Sequence, residues 1–138
     1  MKLAEVKLIM VHCADTKSSM NVTVNDLHKW HVVENGWSDI GYHKFIKFDG
    51  SVHDCRPVNT AGAHCKKVNS ISLAICLEGG FGGENNFTEA QLDSLFNEIC
   101  DIKCQYPNAA VLGHNSIDDK ACPSFEVVTW YEKKLRGF

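Results

Sequence analysis

The stretch Gly113–Pro123, read Gly-His-Asn-Ser-Ile-Asp-Asp-Lys-Ala-Cys-Pro, puts a histidine, a lysine and a cysteine on one short loop. His114 closes the apolar run Ala109-Ala110-Val111-Leu112 and so falls at a strand end, while Lys120 and Cys122 come at the far end of a polar loop. Imidazole and thiolate are zinc donors, but catalytic zinc sites take three protein ligands and leave the fourth place to water, so a third donor must come from elsewhere. His12, at the end of the run from Lys7, is the best candidate. Taken alone, His12 reads as a histidine satisfied inside the core; the match with the Gly113 stretch turns the balance toward a ligand. Three such donors would hold one Zn²⁺ with an open position, where the pKa of bound water falls from ~15.7 toward ~7. Lys120 can aim its ammonium at an oxyanion forming on an attacked carbonyl, and Tyr42 can exchange a proton nearby. Together these groups are equipment for metal-assisted amide hydrolysis. Read singly, Lys120 is a solvated loop lysine and Tyr42 an ordinary strand aromatic.

Other donors fit packing better. His28 and His31 stand three apart on a predicted helix, but His31 falls on the apolar stripe. Cys100 and Cys104 are four apart with no further ligand beside them, and Cys13 reads as a small buried hydrophobe. The loop Glu78–Asn86 has four glycines, yet neither the spacing nor the Lys-Ser or Lys-Thr of a phosphate cradle.

The elements that must position these groups follow from periodicity. Lys7–His12 reads as a central strand buried on both faces, and so does Ile71–Leu77, with bulky residues on one parity and Ser72, Ala74 and Cys76 on the other. Thr23 with Asp26 predicts a capped helix over residues 23–35, stopped by Asn35-Gly36. Tyr42–Phe48 and Ser51–Cys55 flank Asp49-Gly50, the signal of a two-residue hairpin turn. Only one of Tyr42 and His43 can face a given site, because strand side chains alternate. Thr88 with Gln91 caps a helix running to about Tyr106, and Ser124 can cap a last helix. Alternating strands and helices without a repeat give an α/β fold: one domain over residues 1–138, a central mixed sheet with helices packed on it. His12 and His114 would both lie at strand C-terminal ends, where open α/β sheets place their sites.

Bulk properties exclude several classes. Fourteen basic residues against 17 acidic ones, a net charge of -3, leave no footprint for nucleic acid. No apolar run is long enough to span a bilayer, and charges interrupt the N-terminal residues, so neither membrane insertion nor a secretory signal is expected. The chain is therefore expected to be cytoplasmic where it is made. Seven cysteines, odd in number and irregularly spaced, read as reduced thiols; paired disulfides are the minority alternative and would leave one thiol over.

Four ordered blocks also carry a family resemblance: Val11-His12-Cys13-Ala14-Asp15-Thr16, Gly36-Trp37-Ser38-Asp39-Ile40-Gly41-Tyr42-His43, Ala61-Gly62-Ala63-His64 and Lys120-Ala121-Cys122-Pro123-Ser124-Phe125. From about Lys7 to Trp130 the chain resembles the zinc-dependent N-acetylmuramoyl-L-alanine amidases, closest to the small phage lysozyme-amidases related to peptidoglycan recognition proteins. The resemblance implies that fold, one zinc ion on His12, His114 and Cys122, and Tyr42 and Lys120 as catalytic partners. It implies cleavage of the amide between the lactyl group of N-acetylmuramic acid and the first alanine of the peptidoglycan stem, for wall lysis of the phage or prophage endolysin type after release from the cytoplasm. His64 falls in the family's Gly-x-His-Ala motif and is expected to line the substrate groove, although Cys65 stands where the motif has alanine. A monomer is expected. The rivals are a peptidoglycan-binding module that does not cut, a structural zinc site, and binding to a phage RNA polymerase. The last is tied in the family to an N-terminal segment, and only about seven residues precede the first strand here.

Overall fold

The computed structural model describes residues 5–137. Strands β1 (Leu8–Cys13), β2 (Lys44–Ile46), β3 (Val52–Asp54), β4 (Ser72–Leu77) and β5 (Ala110–Gly113) form one mixed sheet in the order β3-β2-β4-β1-β5. β1 lies between β4 and β5 and is parallel to both, with His12 opposite Cys76 and Val11 opposite Gly113. β2 is parallel to β4 and antiparallel to β3. A strand with parallel neighbours on both sides is covered on both faces, which is why β1 and β4 are apolar runs.

Alternation along the strands separates a packing face from a working face. Ile9, Val11, Leu73, Ile75, Leu77 and Val111 meet helices α2 (Glu89–Gln105) and α3 (Val127–Leu135) through Leu95, Ile99 and Val127 in the main core. Leu95 and Ile99 are fully buried, and each such side chain contributes about 1.5–3 kcal/mol. On the other parity, Ser72, Ala74 and Cys76 are small. They leave room above β4 for imidazole rings, while Phe45 and Cys76 pack with Leu27 of helix α1 (Val24–His28).

Three boundaries differ from the sequence expectation. Thr23 and Asp26 form the expected capping box, but the helix is α only through His28 and continues over Lys29–Glu34 as a wider π-type turn. The widening accompanies an inward His31, whose Nδ1 accepts from Gly41 N at 2.9 Å. Asp49-Gly50 is not a two-residue hairpin turn. Gly50 N donates to Lys47 O, so Phe48 and Asp49 occupy the turn's centre and Gly50, at φ +86°, follows it in the left-handed conformation. Ser124 does not cap α3. It sits at φ 77° with its hydroxyl donating to Gly80 O at 3.3 Å, and the helix starts three residues later at Val127.

Two buried polar side chains tie the layers together. Gln91, in the predicted capping box of α2, donates from Nε2 to Ile46 O at 2.9 Å and Glu78 O at 2.8 Å. The Glu78 carboxylate accepts from Val22 N at 2.7 Å and Phe48 N at 3.0 Å. Replacing Gln91 by Leu leaves the Glu78 carbonyl without its donor, while Ile46 O keeps the Glu78 amide at 2.9 Å, and is expected to lower stability by about 1–3 kcal/mol in urea unfolding; a loss under about 0.5 kcal/mol would show that these bonds do not matter to the fold.

Candidate metal centre and its groove

β1 delivers His12 at its C-terminal end, the 3₁₀ turn after β5 delivers His114, and the loop before α3 delivers Cys122. One ligand atom from each lies within 4.8 Å of the others. Cys122 Sγ is 3.8 Å from His12 Nδ1, and the His12 and His114 rings are 4.7 Å apart. Cys13 N donates to Cys122 Sγ at 3.2 Å. The neighbouring Cys13 thiol, and then burial, push the Cys122 thiol above its ordinary range, so its ionisation calls for a nearby cation. Burial, followed by His64, His114 and Lys120, holds His12 well below the usual histidine range and therefore neutral. Two imidazoles, that of His12 held neutral, beside a thiol that ionises against positive charge are a donor set that fits zinc.

The ring nitrogens are assigned by their partners. Ser72 Oγ donates to Val68 O at 2.7 Å, so it accepts from His64 Nε2 at 3.1 Å. His64 Nδ1 must then accept from His12 Nε2, at 2.8 Å, which leaves a bare lone pair on His12 Nδ1 facing Cys122. The His64 loop is fixed by Asn69 Oδ1, which accepts from His64 N and Cys65 N, both at 2.9 Å. Gly62 is required there: a Cβ on it would stand 2.6 Å from His64 Cδ2. His114 Nε2 donates to Asp118 Oδ2 at 2.8 Å, and Lys67 Nζ donates to the other oxygen at 3.0 Å. Lys67 and then His114 hold the Asp118 carboxyl well below the usual range. Cys65, His114 and Asp118 form a second cluster of donor atoms.

Tyr42 rather than His43 turns to the site. The Tyr42 ring is 5.3 Å from His12, whereas His43 donates from Nε2 to Thr60 O and accepts at Nδ1 from Ala74 N. Burial, with the thiols of Cys76, Cys122 and Cys13 around it, raises the Tyr42 phenol well above its ordinary value, so it stays a proton donor at neutral pH. Lys120 is exposed on the rim of a groove of about 550 Å³ lined also by Trp37, His64, Lys66, Asn69 and His114. His28 is exposed, His31 is engaged with Gly41, and Cys100 and Cys104 lie on α2 apart from these clusters. All seven cysteines are free thiols. Sequence reading gave no role to Asp118 or Ser72. Asp118 follows His114 by four residues and Ser72 lies on the small-residue parity of β4, but neither pattern is distinctive by itself.

A family model described as N-acetylmuramoyl-L-alanine amidase matches residues 2–125. The chain belongs to the N-acetylmuramoyl-L-alanine amidase family. It is 41% identical over 136 residues to an endolysin of Klebsiella phage KP32, covering 96% of this chain and 89% of that protein. It is also 41% identical over 129 residues to the endolysin of Escherichia phage T7, covering 91% and 85%. The solved structure of amidase LysC from Clostridium intestinale superposes with a TM-score of 0.84 at 28% identity, over 96% of this chain and 86% of that one. A tyrosine-to-phenylalanine mutant of Drosophila PGRP-LB, in complex with tracheal cytotoxin, gives 0.80 at 26% identity over 91% and 79%. This amidase hydrolyses the amide between N-acetylmuramic acid and L-alanine in peptidoglycan, as a lytic enzyme of the endolysin type.

The buried histidines make the metal-stripped amidase acid-sensitive. Burial first, then the charges of His43, His114 and Arg56, lower the His64 pKa from 6.5 to about 3, and burial lowers that of His43. The unfolded chain takes up these protons at a higher pH than the folded one, so stability is present above pH 6.5 and is lost as pH falls through the window toward about 3. Urea unfolding at stepped pH should show this decline, and a flat profile from about pH 6.5 to about pH 4 would contradict it.

Proposed function

We propose that His12, His114 and Cys122 hold a single zinc ion and that the groove beside it takes a muropeptide with its lactyl amide against that ion. The observation that supports this most is the convergence of the three donor atoms within 4.8 Å at one end of the groove. Bound there, zinc would supply the Lewis acidity that activates water for attack at neutral pH. The chain's own groups then have separate tasks. Lys120, exposed on the rim, directs its ammonium at the oxygen on which negative charge develops. Tyr42, kept protonated by its surroundings, donates a hydrogen bond toward the reacting amide. His64 orients His12 from behind and borders the groove in front, so its expected contact with substrate and its bond to His12 are compatible. No helix among the described residues is long and apolar enough to cross a membrane. The enzyme acts as a monomer on the wall after release from the cytoplasm where it is made.

Metal analysis together with mass spectrometry of digested peptidoglycan tests cofactor and bond at once: one zinc per chain and stem peptides with a free N-terminal alanine are expected. Cys122→Ser should lose metal and activity together, and an active zinc-free variant would overturn the ligand assignment. Lys120→Ala should retain zinc while turnover falls roughly 100- to 1000-fold. Unchanged turnover would remove Lys120 from the mechanism.

A further inference from the structure

One side-chain cluster lies behind the ligand set rather than in it. From His114 the chain makes one tight turn, with Ile117 N and Asp118 N both donating to His114 O, at 3.1 and 3.0 Å. That turn brings the Asp118 carboxylate back against the outer edge of the His114 ring, 2.8 Å from Nε2. Both carboxylate oxygens are engaged. Oδ1 accepts from Lys67 Nζ at 3.0 Å, and Oδ2 accepts from the Cys65 thiol at 3.5 Å as well as from His114. Cys65 is buried, and it is the residue that stands where the Gly-x-His-Ala motif has alanine.

We propose that Asp118, clamped by Lys67 and Cys65, is the positioning residue for His114, holding its ring so that Nδ1 presents a lone pair to the ion. The proposal rests on the reading of His114 as a zinc ligand. With Nε2–H committed to the carboxylate, only Nδ1 remains to coordinate. The clamp answers an entropic problem. Asp118 is on a loop and a quarter of its side chain is exposed, so without Lys67 and Cys65 it would sample several rotamers. The alternative, that Cys65, His114 and Asp118 hold a second cation, fits less well. The Lys67 ammonium already sits on the carboxylate where the ion's charge would go.

Zinc affinity, measured by competition with a chromogenic chelator, is the readout. Asp118→Ala is expected to weaken zinc binding roughly 10- to 100-fold, a typical loss for an outer-shell partner. Asp118→Asn, which keeps an oxygen to accept from Nε2, should recover most of it. Lys67→Ala and Cys65→Ala should each cost less, and neither should add to the loss once Asp118 is alanine, because their effect passes through it. Urea unfolding of the metal-stripped Asp118→Ala protein checks that the fold is intact. Wild-type zinc affinity in Asp118→Ala overturns the proposal, and so does a wild type that takes two zinc ions where the variant takes one, since Asp118 would then be a ligand. If His114→Ala keeps full affinity, the proposal falls with the ligand assignment. If the affinity series comes out as expected but peptidoglycan is not cut, the amidase mechanism fails and the positioning role stands.

Discussion

Everything in this molecule depends on β1 being paired in parallel on both sides. The register that sets His12 opposite Cys76 and Val11 opposite Gly113 brings the ends of three strands to one rim. His114 follows the end of β5 directly, so the pairing of β5 with β1 fixes the distance between the two imidazoles. One residue of slip would carry His12 into the packing face among Ile9 and Val11, where no partner could satisfy its ring nitrogens. The apolar alternation that buries β1 against α2 and α3 is thus the same constraint that aims the histidine.

Around that rim, buried polar groups do what apolar packing cannot, which is to fix direction. Arg56 is buried and donates to three carbonyls, Ile40 O, Ala61 O and Asp39 O, so the loop before Tyr42 and the loop carrying His64 are held to one guanidinium. Planar geometry and five donors make arginine the side chain able to do this. Glu78 does the complementary work, taking two amides from segments far apart in the chain. His12 and His114 are backed differently. His12 has a neutral line through His64 and Ser72 to a backbone carbonyl, and His114 has a carboxylate.

Much of this was legible in the sequence. Lys7–His12 and Ile71–Leu77 read as central strands because two-sided burial leaves a continuous apolar run, and the Thr88 and Gln91 capping box marked the start of α2. The amidase blocks pointed to His12, His114 and Cys122, whose donor atoms the fold brings within 4.8 Å of one another. What failed to show were features set by tertiary contact. The π-type turn after His28 goes with His31 reaching Gly41, and Ser124 gives up a capping role to bond Gly80 across the fold. Arg56 falls just past the predicted Ser51–Cys55 strand and Glu78 opens a predicted loop, and nothing local distinguishes a charged side chain that will be buried from one that will be solvated. Asp118 was hidden in the same way.

His12, His114 and Cys122 are far apart in the sequence, so this donor cluster closes only across nearly the whole length of the polypeptide. Bringing together groups of such separation requires closing the long loops between them at an entropic cost. A chain interrupted anywhere before Cys122, or folded only in its first half, lacks that cluster. On the proposed ligation, hydrolytic competence requires the complete fold, and damaged or unfinished copies are chemically silent.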